Sequence, residues 1–133
     1  MFRDGLFHGA RVLVTGGGTG LGRMMAERLL ALGASVELWG RRGEVVAATA
    51  AEMNATHPGR AHARAVDIKD PEAVDAAIAA MWEEGRPATH LINNAAGNFV
   101  SRTEDLSPRA FHAIADIVFH GTFQVTQAVG KRW

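Results

Sequence analysis

The stretch TGGGTGLG, Thr15–Gly22, puts five glycines into eight residues. It follows a short β-branched run, RVLVT (Arg11–Thr15), and precedes GLGRMMAERLLALG (Gly20–Gly33), which has helical periodicity. A chain that turns this sharply out of a buried strand into a helix, and that must let a ligand come close to its backbone, needs glycine despite its entropic cost. The helix start supplies unpaired N–H groups and a partial positive charge, which together bind phosphate. Gly16, Gly20 and Gly22 fit T-G-x3-G-x-G. They do not fit G-x-G-x-x-G, and no Gly-Lys-Ser/Thr follows, so a nucleotide-triphosphate P-loop is excluded. The position between strand and helix points to the pyrophosphate of a dinucleotide, with Gly16, Gly18, Thr19, Gly20 and Leu21 as the contacting residues.

Outward from this loop, strand and helix patterns alternate. Leu21, Met25, Leu29 and Leu32 are expected on one helical face, ending at Gly33. Ser35–Trp39 reads as a strand, Glu44 to about Asn54 as a helix, and Ala63–Val66 as a weaker strand. Asp70-Pro71-Glu72 starts a helix by an Asp cap, a proline in the first turn and an acid near the positive dipole end. Its apolar stripe is Val74, Ile78, Met81 and Trp82. His90–Asn93 reads as a fourth strand, and Ser107-Pro108 opens a last helix that runs to the end of the chain. The order βαβαβαβα with short connections predicts one α/β unit, a doubly wound parallel sheet with helices on both faces, spanning 1–133 as a single domain.

Three further segments belong to a dinucleotide site at the carboxyl edge of such a sheet. At the end of the second strand, where an acid would hold the ribose of NAD, the chain has Arg41 and Arg42. Their guanidinium groups suit a 2′-phosphate and hence NADP(H); the alternative is a pair of solvated arginines at a helix start. Asp67, after the third strand and followed by Ile68, can accept from an adenine amino group or cap the local backbone. Asn94, Ala95 and Ala96 end the fourth strand with small side chains that leave room for ribose and nicotinamide. Asn94 serves equally well as a tie between neighbouring strands.

The 133 residues carry no net charge, with 14 basic and 14 acidic side chains and no basic run. No electrostatic case for a nucleic-acid or membrane partner arises. Cysteine is absent, which rules out disulfides and thiolate metal sites. No segment is apolar over a bilayer's width and no leader precedes the first strand, so a cytoplasmic location is expected.

Together these motifs resemble the short-chain dehydrogenase/reductase family over the whole chain. TGGGTGLG is similar to its glycine motif, Asp67 to its adenine contact and NNAAG (Asn93–Gly97) to its Asn-Asn-Ala-Gly element. LINNAAGNFVSRTEDLSPRAF and DIVFHGTFQVT resemble 2,4-dienoyl-CoA reductases and related enoyl-CoA reductases, with NAAGNF the most specific piece. The resemblance implies a Rossmann-type three-layer α/β/α fold. It also implies NADPH-dependent reduction of a carbon–carbon double bond in an unsaturated fatty acyl-CoA bound near Asn98 and Phe99. Ala96 stands at the usual glycine position, as in the dienoyl-CoA subgroup. Val118 stands where most of the family has an Asn, and His120, two positions on, is the implied contact to the thioester carbonyl; otherwise it is a packed or surface histidine.

The family's catalytic pair, a Tyr followed four residues later by a Lys, lies downstream of the fourth helix, where the tyrosine supports protonation of the substrate. This chain contains no tyrosine. The last helix, IADIVFHGTFQVTQAVGKRW, is apolar nearly all round, and the fourth strand would be left at an open edge. The expectation is the N-terminal portion of a longer reductase, truncated after the fourth βα unit, inactive alone and homo-oligomeric when whole. Two other readings stay open: a non-catalytic NADP-binding module, and a reductase of a 3-oxoacyl thioester or other carbonyl substrate.

Overall fold

Strand β1 (Arg11–Thr15) lies at the centre of a four-stranded parallel sheet, in a computed structural model that describes residues 2–133. It pairs on one side with β2 (Ser35–Gly40), which pairs in turn with β3 (Ala61–Ala65), and on the other side with β4 (His90–Ile92). The order β3-β2-β1-β4 reverses direction at β1, which puts the end of β1 at the topological switch point. Helices α1 (Gly20–Ala31), α2 (Gly43–Thr56) and α3 (Pro71–Glu83) make the crossovers. After β4 come a short 3-10 turn (Thr103–Asp105), helix α4 (Pro108–Ala115), a π-helical turn (Asp116–Gly121) and helix α5 (Thr122–Arg132).

Strand alternation sorts the apolar side chains to two faces. Val12, Val14, Val36 and Leu38 pack with Ala26, Leu30 and Met53 under α1 and α2. Leu13 and Trp39 pack on the other face with Val74, Ile78 and Met81 of α3 and Val125 and Val129 of α5. Over β1 and β2 the sheet is thus covered on both sides, which is why those two strands are buried along nearly their whole length.

Asp70 caps α3, its carboxylate accepting from the amides of Glu72 (3.0 Å) and Ala73 (3.2 Å). Ser107 caps α4 by accepting from the amide of Ala110 at 3.1 Å.

Two expectations change. The buried face of α1 is Gly22, Ala26 and Leu30; of the expected stripe Leu21, Met25, Leu29 and Leu32, Leu32 is buried and Leu29 packs against the core, while Leu21 is 71% exposed. Small residues let the helix axis lie close to the sheet, so hydrophobicity alone misplaces the face. The last helix is also not one regular α-helix. It widens at Asp116–Gly121, where a Cβ on Gly121 would come within 2.7 Å of Ile68 Cδ1. Of its apolar residues, Val125 and Val129 are buried, whereas Val118, Phe119 and Phe123 are exposed.

Candidate functional site

The loop from β1 to α1 is held from three directions. The amide of Gly17 donates to the Trp39 carbonyl at 3.1 Å, joining the loop to β2. From α2, the buried Thr49 hydroxyl donates to the Gly18 carbonyl at 2.7 Å. From the β4 side, Asn94 Nδ2 donates to the carbonyls of Thr15 and Gly16, each at 3.1 Å. The buried Thr15 hydroxyl in turn accepts from the amides of Asn94 and Ala95, both at 3.0 Å. The loop geometry is therefore set before any ligand arrives.

Gly16 and Gly20 hold left-handed backbone, φ +65° and +54°. Around Gly20 the space is open, with nothing within 4 Å of a hypothetical Cβ, while at Gly22 a Cβ would fall on the Gly16 carbonyl oxygen. The two glycines differ in surroundings, open space in front of Gly20 and helix-to-loop packing at Gly22. Thr19 precedes α1 in extended backbone and makes no side-chain cap, and the first turn holds no acid. The N-terminal amides of α1 thus face outward uncapped, unlike those of α3 and α4, as an anion site requires. A valine at Gly20 should leave the fold standing at a cost of about 1–2 kcal/mol for the left-handed backbone. It should also abolish dinucleotide binding, measured by calorimetry alongside circular dichroism; unchanged binding would remove the loop's phosphate role.

The remaining candidates lie around this loop. Arg41 and Arg42 are exposed at the junction of β2 and α2, and among the described residues no carboxylate lies within ion-pair distance of either. Asp67 is half-buried, with Oδ1 accepting from the Lys69 amide at 3.0 Å and Oδ2 3.9 Å from Lys69 Nζ. Ile68 behind it is buried. Ala95 is half-buried against Gly16, and Ala96 is exposed.

Beyond Ala96 the chain enters an open cleft of about 370 Å³ lined by Gly97, Asn98, Phe99, Arg109, Ile114 and Ile117, among others. Ala110, Ala113 and Ile114 make the α4 side largely apolar, and Arg109 adds a cation to it. His120 does not line it. That side chain is exposed on the π-helical turn, its Nδ1 3.0 Å from Asp116 Oδ1 and its ring beside Phe119. Asn93, just past β4, donates from Nδ2 to the Thr126 hydroxyl at 2.9 Å and so ties the strand end to α5.

Sequence reasoning missed Thr15 and Thr49, the two hydroxyls that hold the loop. A polar β-branched residue closing an apolar strand, and a lone hydroxyl within an Ala/Val-rich helix, were the available signals. It also missed Arg109, which only the folding of α4 against Gly97–Phe99 brings to the cleft.

A parallel sheet with a glycine turn at its switch point, tied to the strand end beyond it, defines a Rossmann-type dinucleotide-binding fold. The short chain dehydrogenase family profile matches residues 10–133, and the chain belongs to that family of oxidoreductases. It is 44% identical over 133 residues to a probable 2,4-dienoyl-CoA reductase 3 [(3E)-enoyl-CoA-producing] of Caenorhabditis elegans, covering 99% of this chain and 43% of that one. Among solved structures, the citronellol catabolism dehydrogenase of Pseudomonas aeruginosa PAO1 superposes with a TM-score of 0.90 at 37% identity, covering 99% of this chain and 54% of that one. The Pseudomonas aeruginosa RhlG/NADP active-site complex superposes with a TM-score of 0.87 at 26% identity, covering 97% and 50%. The chain spans about half the length of the relatives it matches.

Proposed function

We propose that this chain is the cofactor-binding part of an NADPH-dependent reductase that saturates one carbon–carbon double bond of an unsaturated fatty acyl-CoA. The observation that carries this reading is continuity. Asn94 and Ala95 lock the glycine loop, and three residues on, Gly97, Asn98 and Phe99 open into an apolar cleft. A nicotinamide laid along the loop and an acyl chain laid in the cleft would meet at Asn94–Gly97. The 2,4-dienoyl-CoA reductase name of the nematode relative supports the substrate class.

NADPH, when bound, supplies the hydride. The residues here bind and orient. The amides of Gly18 to Leu21 face the pyrophosphate, with Gly16 giving the turn. Arg41, flanked by Arg42, reads the 2′-phosphate, and Asp67 accepts from the adenine amino group with Ile68 at its back. Asn94, Ala95 and Ala96 leave room for the ribose and ring. Asn98 and Phe99 hold the acyl thioester. A hydride and a proton add across the conjugated system, and the proton donor comes from sequence that the relatives carry beyond the matched portion. The apolar side chains exposed on the π-helical turn and α5, Val118, Phe119 and Phe123, would be covered by that same remainder or by a second copy.

A second reading, a module that binds NADP(H) without turnover, uses the same glycine loop and arginines. Incubating the full-length protein with NADPH and a 2,4-dienoyl-CoA separates the two. Acyl-CoA-dependent loss of NADPH absorbance supports the reductase. Cofactor binding without oxidation on dienoyl-, enoyl- or 3-oxoacyl-CoA supports the module, and turnover of the 3-oxoacyl thioester alone would change the substrate class. Arg41→Ala is expected to weaken NADPH by about 10–100-fold, the worth of a hydrogen bond to a charged group, and NADH by less than about twofold. Equal losses would show that Arg41 does not read the 2′-phosphate.

A further inference from the structure

At the edge of the sheet opposite the glycine loop, β1, β2 and β3 begin side by side. Arg11 pairs in register with Ser35, and Val36 with Ala61, so Arg11, Ser35 and Arg60 stand at the starts of three adjacent strands. With His8, His62 and Arg86 they line an open cleft of about 580 Å³.

The two outer arginines are tethered without being neutralised. Arg11 Nε donates to the Pro87 carbonyl at 2.7 Å. Arg60 donates to the Ala34 carbonyl at 3.3 Å and to His57 Nδ1 at 2.7 Å. Among the described residues neither has a carboxylate within ion-pair distance. Arg86 differs, since it is engaged by Glu84 and lies 3.9 Å from Glu37. Burial first, and the Arg86 charge second, hold the His62 imidazole below its ordinary value. That lowering favours the uncharged imidazole, and the uncompensated charge of the cleft comes from Arg11 and Arg60. The Ser35 hydroxyl makes only a long bond, 3.4 Å, to the Ala10 carbonyl and can turn to a ligand.

Two guanidinium groups held by backbone carbonyls in a concave site keep their remaining N–H donors fixed and their charge unopposed. A tetrahedral dianion balances both charges and offers enough oxygens for both forks and the hydroxyl. We propose that this cleft binds a phosphate dianion, either the free ion or the terminal ester of a small molecule, at the end of the sheet away from the glycine loop. The site does not depend on the reductase reading.

The test is residue-resolved NMR on isotopically labelled full-length protein, titrated first with inorganic phosphate and then with glycerol 3-phosphate, at ionic strength held constant with chloride. The expected result is saturable shifts at Arg11, Ser35, Arg60 and His62. Arg60→Gln and Arg11→Gln should each weaken binding by about tenfold or more, and Ser35→Ala, a milder change, by a smaller factor. Saturation by both ligands assigns the site to the free ion as well as esters; saturation by the ester alone assigns it to organic phosphates. Shifts that never saturate, that chloride reproduces, or that saturate only at Gly16–Leu21 would overturn the proposal. So would variants with native circular dichroism that bind as tightly as the original protein.

Discussion

Gly22→Ala is expected to lose about 3 kcal/mol of stability and to lose dinucleotide binding with it. The added Cβ would fall on the Gly16 carbonyl oxygen and 2.5 Å from Asn94 Nδ2. Neither neighbour can yield cheaply. The Gly16 carbonyl is backbone held in left-handed geometry, and Asn94 Nδ2 is committed to the carbonyls of Thr15 and Gly16. Relief therefore requires α1 to move off the end of β1. That breaks the Asn94 bonds and opens the packing of Ala26 and Leu30 against the sheet. Forcing even one carbon into a close-packed contact costs about 1–3 kcal/mol, and opposition from a backbone carbonyl and from a side-chain amide already committed to two bonds places this case at the top of that range. Urea unfolding of the full-length protein, with calorimetry of NADPH binding, reads both effects. A loss below about 1 kcal/mol with binding intact would mean that the helix sits further from the loop than these contacts place it. The contrast with Gly20→Val, where the fold should survive and binding should not, separates packing from ligand approach.

The second large effect is expected at Glu37, a carboxylate in the middle of β2 that is only 5% exposed. Its Oε1 accepts from Arg64 Nε of β3 at 3.1 Å, and Oε2 lies 3.9 Å from the Arg86 guanidinium just beyond α3. Glu37→Ala removes the anion that both arginines face and leaves a gap in the sheet. Removing one partner of a buried ion pair costs about 3–5 kcal/mol, mostly for the charge left behind. Glu84 still accepts from Arg64 at 2.9 Å and engages Arg86, so the expected loss is at the lower end, about 3 kcal/mol. Replacing the pair together, Glu37→Leu with Arg64→Met, should recover most of it, because the desolvation cost then disappears as well. A single variant as stable as the original in urea would show that the carboxylate is spared by solvent. A double variant no better than the single one would place the loss in packing rather than charge.

Much of the fold was legible because apolar periodicity changes where the chain changes element. The run RVLVT, the cap at Asp70-Pro71 and the Ser107-Pro108 start each carry a local physical cause that needs no distant partner. The glycine loop was legible for the same reason, since left-handed backbone at Gly16 and Gly20 restricts the residue type on the spot. Less of α1 could be read. Its contact face is Gly22-Ala26-Leu30, and a search for large apolar residues passes over the small ones that permit close approach.

Asn94 had two readings in the sequence; folding gives it the Thr15 and Gly16 carbonyls, 78–79 residues away, as partners. The last helix, read as regular and apolar all round, widens at Asp116–Gly121 where Gly121 meets Ile68, a contact no local pattern announces.

The sequence by itself determined the order of strands and helices, the glycine-built turn between β1 and α1, and the absence of an electrostatic case for nucleic acid or membrane. These follow from residue type, spacing and charge, which act over a few neighbours or over the whole sum. Only the tertiary structure decided which glycine packs and which faces open space, what holds the loop, where the apolar cleft opens, and that Arg11 and Arg60 line one cleft with no carboxylate in ion-pair distance among the described residues. Those depend on atoms brought together from distant parts of the chain, and distance in space is the one quantity that a linear pattern does not carry.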